Sequence, residues 1–449
     1  MRKGNRILSG LLALVMAAVM LLCPAAAISY EPDFTPTSKA VYLENLDTGL
    51  ILYEKNADEK MYPASLTKIM TAIVVLENVK DLDGETAEYP MWIQNMLYGT
   101  NASLGGLIVG EELTIRQLLT SALVQSGNES AMILAGYVGS GGMADFMPRD
   151  ITTFVEMMND KAKALGCTGT HFTNPTGLHS DNTYTTARDM AIMAKYAMQK
   201  SVFSSIVKNY AVQLGQTNKH ADLWQYSTNK MLLTSSPYYY APVVGIKTGS
   251  TDEAGRCVIS QAEDSGYHYF CVVMGSPVTA AEPYQNFIET RQLYRWAFGN
   301  FSLRTLLEQG ELMAEVPVKY SGDGKVAKLA IKEDVVQLLR DDISLDSIIY
   351  KAELPEFVEA PIAAGDTVGK MHIMLMGEEI GTVELVATQA FSLSWFRKAL
   401  GTIGSLLSST VAKVIFIVVV LAIAGYIVYA VRHNKKRKKH RSKYSDRNY

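Results

Sequence analysis

Apolar and polar residues alternate over residues 40–53 (AVYLENLDTGLILY) around Asp47-Thr48-Gly49, a pattern that predicts a β-hairpin. Residues 65–79 (SLTKIMTAIVVLENV) are apolar on most sides, as expected of a buried helix. Helical periodicity covers 114–138, interrupted near Ser126-Gly127-Asn128, and returns at 151–165 and 186–199. From Val243 the texture changes to strand through VVGIKTG, GRCVISQA and YHYFCVVMG, and residues 284–298 read as a closing helix. The order of strands, helical middle, strands and final helix predicts an α+β domain over residues 35–300, its sheet assembled from both ends of that segment. Residues 311–388 alternate almost throughout, with Gly-containing turns, and predict a separate small β domain. Residues 389–412 are mixed in character and read as a spacer.

The two ends carry different signals. A basic start, an apolar run from Ile7 to Cys23 and the small residues Ala25 to Ala27 read as a secretory signal peptide over residues 1–27. Val414 to Val431 is 18 residues without a charge, about 27 Å of helix at ~1.5 Å per residue against a ~30 Å hydrocarbon core. It is read as a membrane-spanning helix, with the basic tail 432–449 (HNKKRKKHRSK within it) on the cytoplasmic side. The tail is read as a topology signal and not as a nucleic-acid site.

Composition changes the picture only once it is divided by position. The 449 residues hold 42 Lys/Arg and 45 Asp/Glu, for a net charge of −3. Residues 1–27 carry three bases and no acid, and 432–449 carry nine bases and one acid. The stretch between is therefore acidic by a net fourteen charges. At 48% hydrophobic and 19% charged, the chain is neither disordered nor collagen-like. Beyond the signal segment lie Cys167, Cys257 and Cys271, with no CxxC pair. Cys257 and Cys271 flank the hairpin turned at Glu263 to Gly266 and are expected as cross-strand neighbours, buried as free thiols because adjacent strands fit disulfide geometry poorly.

No HExxH helix, GxSxG elbow or Walker loop is present, and no metal or cofactor is implied. What remains is SxxK, SxN and KTG, in that order. SxxK occurs at Ser65, Ser205 and Ser227, so physical context must choose. Ser65 opens an apolar helix whose first-turn N–H groups favour an anion, and Lys68 lies on the same face three residues on. A serine–lysine pair works without histidine when the amine is neutral, and burial and a nearby cation both favour neutrality. The run IMTAIVV offers the burial, and Lys247 is the candidate cation. Ser205-Lys208 and Ser227-Lys230 lie in polar surroundings. For the middle motif, Ser126 and Asn128 sit between helical segments, whereas Ser180-Asp181-Asn182 reads as a surface turn. Lys247-Thr248-Gly249 closes a β-branched strand, where glycine lets a substrate approach the backbone.

With these residues in place, the chain resembles the D-alanyl-D-alanine carboxypeptidases, the low-molecular-mass penicillin-binding proteins. The resemblance covers about residues 35–388 and rests on YPASLTKIMTA, SGNESA, FTNPTGLHSDNTYTTARD and VGIKTGSTDEAG. The stretch APIAAGDTVGKMHIMLMGEEIGTVELV is similar to the family's C-terminal β domain. The resemblance implies a β-lactamase/DD-peptidase-like fold: an antiparallel sheet flanked by helices, with a helical subdomain. It implies Ser65 as acyl-ester nucleophile, Lys68 as its base and Ser126 as proton relay. Asn128, Lys247, Thr248 and Gly249 would bind substrate, with an oxyanion hole from the backbone N–H groups of Ser65 and Ser250. The implied substrates are peptidoglycan stem peptides ending in D-Ala-D-Ala, with β-lactams as covalent inhibitors. There are two departures. SPVTAAEPYQNF lacks the arginine by which some members bind the terminal carboxylate, leaving Arg256 and Arg291 open. Relatives often end in an amphipathic helix on the membrane, where this chain shows a spanning one. A serine β-lactamase shares the motif set, but no acidic deacylation motif is recognisable between Asn128 and Lys247. A non-catalytic β-lactam sensor or wall-binding protein is the remaining alternative.

Overall fold

The computed structural model describes residues 30–408 and 410–445. The signal segment expected at residues 1–27 lies outside them. Contacts divide the chain into two compact units, one running to Ser302 and including Leu338–Ile343, the other formed by Leu303–Gln337 and the chain from Ser344.

The first unit is built on a five-stranded sheet: β1 (Ala40–Asn45), β2 (Ile51–Lys55), β3 (Lys247–Thr251), β4 (Gly255–Asp264) and β5 (Tyr267–Ser276), in the order β2-β1-β5-β4-β3. All neighbours are antiparallel, and β1 pairs with β5 from Ala40 opposite Met274 to Asn45 opposite Tyr269. The N-terminal hairpin thus completes a sheet begun two hundred residues later, as the element order predicts. Every residue of β1 is buried, because both faces of the sheet are covered. On one face packs α4 (Ala187–Met198), and α1 (Lys68–Asn78), α2 (Asn128–Gly139) and α3 (Pro148–Ala164) build on it and on one another, in a core that contains Ile69, Ile133, Phe154 and Met190. On the other lies α5 (Gln285–Asn300), whose Phe287, Leu293 and Tyr294 meet Val41, Leu43 and Val273. Burial of this kind, at about 25 cal/mol per Å² of apolar surface, is the main force holding the layers together.

The cysteines fall differently from the expected pairing. Cys271 faces Ser260 across the ladder and Cys257 faces Gly249. Cys257 is three residues from Ser260 on β4, so alternation turns it away from the face that carries Cys271, and the two thiols enter opposite cores. Both are free and buried.

The second unit carries a six-stranded sheet of β6 (Leu312–Lys319), β7 (Val326–Ile331), β8 (Ile348–Glu353), β9 (Val358–Glu359), β10 (Thr367–Leu375) and β11 (Glu378–Ala387), ordered β8-β10-β11-β7-β6-β9. Here one face is buried, and exposure alternates along the ends of β10 and β11. The segment 389–412, expected as a spacer, is not featureless. Phe391 is buried and bridges to Ile362, Leu393 bridges to Ser321, and α6 (Trp395–Ser408) follows. The last helix, α7 (Thr410–Ser445), contains the stretch Lys413–His433, 21 residues with mean hydropathy 2.9, long and apolar enough to cross a membrane. At ~1.5 Å per residue it reaches about 31 Å.

Candidate active site

The site forms where three segments of the first unit meet. Ser65 lies in a tight turn, Ala64–Thr67, that leads directly into α1. Two glycines let other chains approach this turn. A Cβ on Gly249 would stand 2.9 Å from Pro63 O and 3.1 Å from Ser65 N. A Cβ on Gly177, whose φ is +81°, would stand 1.8 Å from Ala64 O. Glycine at these positions brings β3 and the loop Asn174–Leu178 against the nucleophile's backbone. Ala64 (φ 47°) and Ser126 (φ 65°) both hold left-handed conformations without being glycine. Such positions cost ~1–3 kcal/mol each and cluster where a side chain must be aimed.

Lys68 is fully buried. Its Nζ lies 3.0 Å from Ser65 Oγ, 2.9 Å from Asn128 Oδ1 and 2.7 Å from the Thr176 carbonyl oxygen. The orientation of the Asn128 amide is fixed because its Nδ2 donates to Ser103 O at 2.8 Å. A neutral amine has two hydrogens and one lone pair. The two carbonyl acceptors take the hydrogens, and the lone pair is left for the Ser65 hydroxyl. Burial lowers the Lys68 pKa well below the ordinary lysine value, and Lys247 lowers it further, while Glu129 acts in the opposite direction. Lys247 is itself buried, donates to Thr248 O at 3.0 Å, and is pushed down to about 7 by desolvation.

Ser126 ends a widened helical turn, Ser121–Gln125, in a left-handed conformation, and α2 starts again at Asn128. That interruption places Ser126 on the wall of a cleft of about 300 Å³, with Ser65, Thr248, Gly249 and Ser250 also lining it. Thr248 Oγ1 shares a short hydrogen bond with Thr228 Oγ1. The structure therefore brings together Ser65, Lys68, Ser126, Asn128, Lys247, Thr248, Gly249 and Ser250. It leaves Ser205 exposed and bonded to Val202 O. Asp181 and Asn182, in the SDN look-alike, are exposed too. Among the described residues no group of His, Cys, Asp and Glu is placed to hold a metal.

Residue patterns did not reveal four participants. Thr176 serves through its carbonyl, presented by a turn in which Asn174 Oδ1 accepts from Thr176 N, Thr176 Oγ1 and Gly177 N. The sequence sign of this turn is Asn-Pro-Thr-Gly. Ser103 lines the cleft and accepts two bonds from Asn128. Glu129 is buried and accepts from Gly105 N at 2.6 Å, and burial raises its carboxyl pKa. Lys230, set aside as polar, stands on the cleft wall.

Comparison with known proteins agrees with this geometry. The family described as D-alanyl-D-alanine carboxypeptidase matches residues 27–278, and the one described as penicillin-binding protein 5, C-terminal domain, matches residues 301–392. The D-alanyl-D-alanine carboxypeptidase DacF of Bacillus subtilis is 29% identical over 396 residues, covering 86% of this chain and 95% of the relative. DacA of Escherichia coli K12 is 28% identical over 370 residues, 78% of this chain and 83% of the relative. Among solved structures, penicillin-binding protein 5 of Haemophilus influenzae superposes with a TM-score of 0.59 at 26% identity, covering 81% of this chain and all of that one. A family match over more than half of the chain, together with a serine–lysine cleft on this fold, places the chain in the D-alanyl-D-alanine carboxypeptidase family.

Proposed function

We propose that the chain is a serine-type D-Ala-D-Ala carboxypeptidase that removes the terminal D-alanine from peptidoglycan stem peptides. The observation that carries the reading is the Lys68 amine, buried and held by two carbonyl acceptors with Ser65 as its third neighbour. In this reading Ser65 Oγ attacks the carbonyl between the two D-alanines while Lys68 takes its proton. The oxyanion rests on the N–H groups of Ser65 and Ser250. Ser126 passes a proton to the leaving amine, the C–N bond breaks, and water later releases the acyl group from Ser65. Asn128, Thr248 and Gly249 hold the peptide backbone along β3, and Lys247 supplies positive charge beside Ser126. No cofactor takes part. Penicillin acylates the same serine and leaves slowly.

The helical stretch Lys413–His433 supports a single-pass anchor. The catalytic unit would then face the outside and residues 432–449 the cytoplasm. The activity is tested with the full chain in detergent and a peptide ending in D-Ala-D-Ala. Stoichiometric release of D-alanine, abolished in Ser65→Ala, is expected. Rapid multiple-turnover hydrolysis of penicillin without D-alanine release would overturn the reading in favour of a β-lactamase.

A further inference from the structure

A peptide ending in D-alanine presents a carboxylate, and the lysines of the catalytic cluster are already engaged. Lys68 has its three neighbours, and Lys247 donates to Thr248 O. Two other cations stand on the cleft wall. Lys230 and Arg256 both line it, and among the described residues it has no acidic lining side chain. They converge on one ring: Lys230 Nζ is 4.0 Å and Arg256 Cζ 5.0 Å from the centre of Tyr284, which also lines the cleft. Arg256 sits opposite Ser250 in the β3–β4 ladder, beside the strand along which the substrate backbone would lie. Its Nε is buried and, among the described residues, has no hydrogen-bond partner. A buried donor without an acceptor is unfavourable, and a ligand that supplies the acceptor relieves it. Arg291, the alternative left open by sequence, is half-buried, donates to Pro237 O and is not among the residues lining the cleft.

Resting on the carboxypeptidase reading, we propose that Arg256 binds the terminal carboxylate of the substrate, with Lys230 as the second cation across the Tyr284 ring. A guanidinium offers a planar pair of donors that matches a carboxylate. The departure from the arginine pattern of other family members is then a relocation: the cation comes from β4 instead of the segment after β5.

The test compares free-acid with neutral ligands on the full chain. Acylation of Ser65 by benzylpenicillin and by its methyl ester is measured, as is release of D-alanine from a D-Ala-D-Ala peptide and of D-alaninamide from its C-terminal amide. Arg256→Gln is expected to lose roughly 10- to 100-fold in second-order rate toward the acids and little toward the neutral ligands. Arg256→Lys should recover part of that loss, and Arg291→Gln should match the unmodified protein. Equal losses on acid and neutral ligands, or an unchanged acid-to-neutral ratio, would overturn the assignment. If the unmodified protein is acylated but releases no D-alanine, the carboxypeptidase reading fails, and the penicillin acid-to-ester ratio still decides the role of Arg256.

Discussion

The two units treat charge in opposite ways. The first buries Lys68, Lys247, Glu111, Glu129 and Glu289, whereas in the second Ser321 is the one polar residue among the buried side chains described. Charged groups of the second unit stay at the surface, as in the Lys332–Glu384 pair and in His372 with Glu353 and Glu379. Burying a charge is unfavourable unless it is paired or neutralised. Glu111 and Glu289 are each held by several hydrogen bonds away from the cleft lining, whereas Lys68, Lys247 and Glu129 act on one another at the site. There the cost is accepted for chemistry, while the second unit follows the simpler rule of apolar inside and polar outside.

If the difference is functional, acylation should depend steeply on the first unit's buried polar cluster and hardly at all on the second unit's core. Ser65→Ala should lower D-alanine release by about 10⁴-fold or more with the protein still folded, measured by single-turnover assay and circular dichroism. Lys68→Ala should reduce acylation by about 10²- to 10⁴-fold, the scale of a lost general base. Gly249→Ala places a Cβ 3.1 Å from Ser65 N, and should cost acylation about 10- to 100-fold through a displaced oxyanion donor. At the other extreme, Ile373→Ala opens a cavity at a fully buried position of β10. It should destabilise the second unit by about 2–5 kcal/mol in denaturant titration, yet leave the acylation rate unchanged.

The last expected effect is on pH-dependent stability. In the folded chain Lys247 loses its proton near 7, whereas an unfolded lysine keeps it to about 10.4. Between these values the unfolded state binds more protons, so this lysine makes stability rise with pH. The melting temperature should rise from pH 7 to 9.5 less steeply in Lys247→Met than in the unmodified protein. Equal slopes would show that Lys247 is not desolvated as described.

The same contrast explains what could be read from sequence. Alternation in residues 311–388 gave the second sheet, because a sheet with one wet face writes its burial directly into the chain. SxxK, SxN and KTG were legible because each is local: one turn, one helix break and one strand. The contributions of Thr176, Ser103 and Lys230 were not. Thr176 acts through a backbone carbonyl, which no side chain encodes, and meets Lys68 across more than a hundred residues. Lys230 looked solvent-exposed because its sequence neighbours are polar, whereas its neighbours in space are Tyr284 and Arg256. The thiols of Cys257 and Cys271 were misplaced because the hairpin turns at Ser265-Gly266 and pairs Asp264 with Tyr267 and Ser260 with Cys271; Cys257, an odd three residues from Ser260, then lies on the other face of the sheet. The segment 389–412 reads as mixed only when taken as one block: residues 389–394 make two bridges without any period, whereas Trp395–Ser408 places Trp395, Phe396, Ala399, Leu400, Ile403 and Leu407 at helical spacing.

The central claim is that Ser65, activated by a neutral Lys68, is the acylated residue. Mass spectrometry of peptides from the full chain after brief exposure to penicillin tests it most directly. The account predicts a single penicilloyl adduct on the peptide containing Ser65, absent in Ser65→Ala. An adduct on Ser205, Ser227 or Ser180, or one that persists in Ser65→Ala, would contradict it.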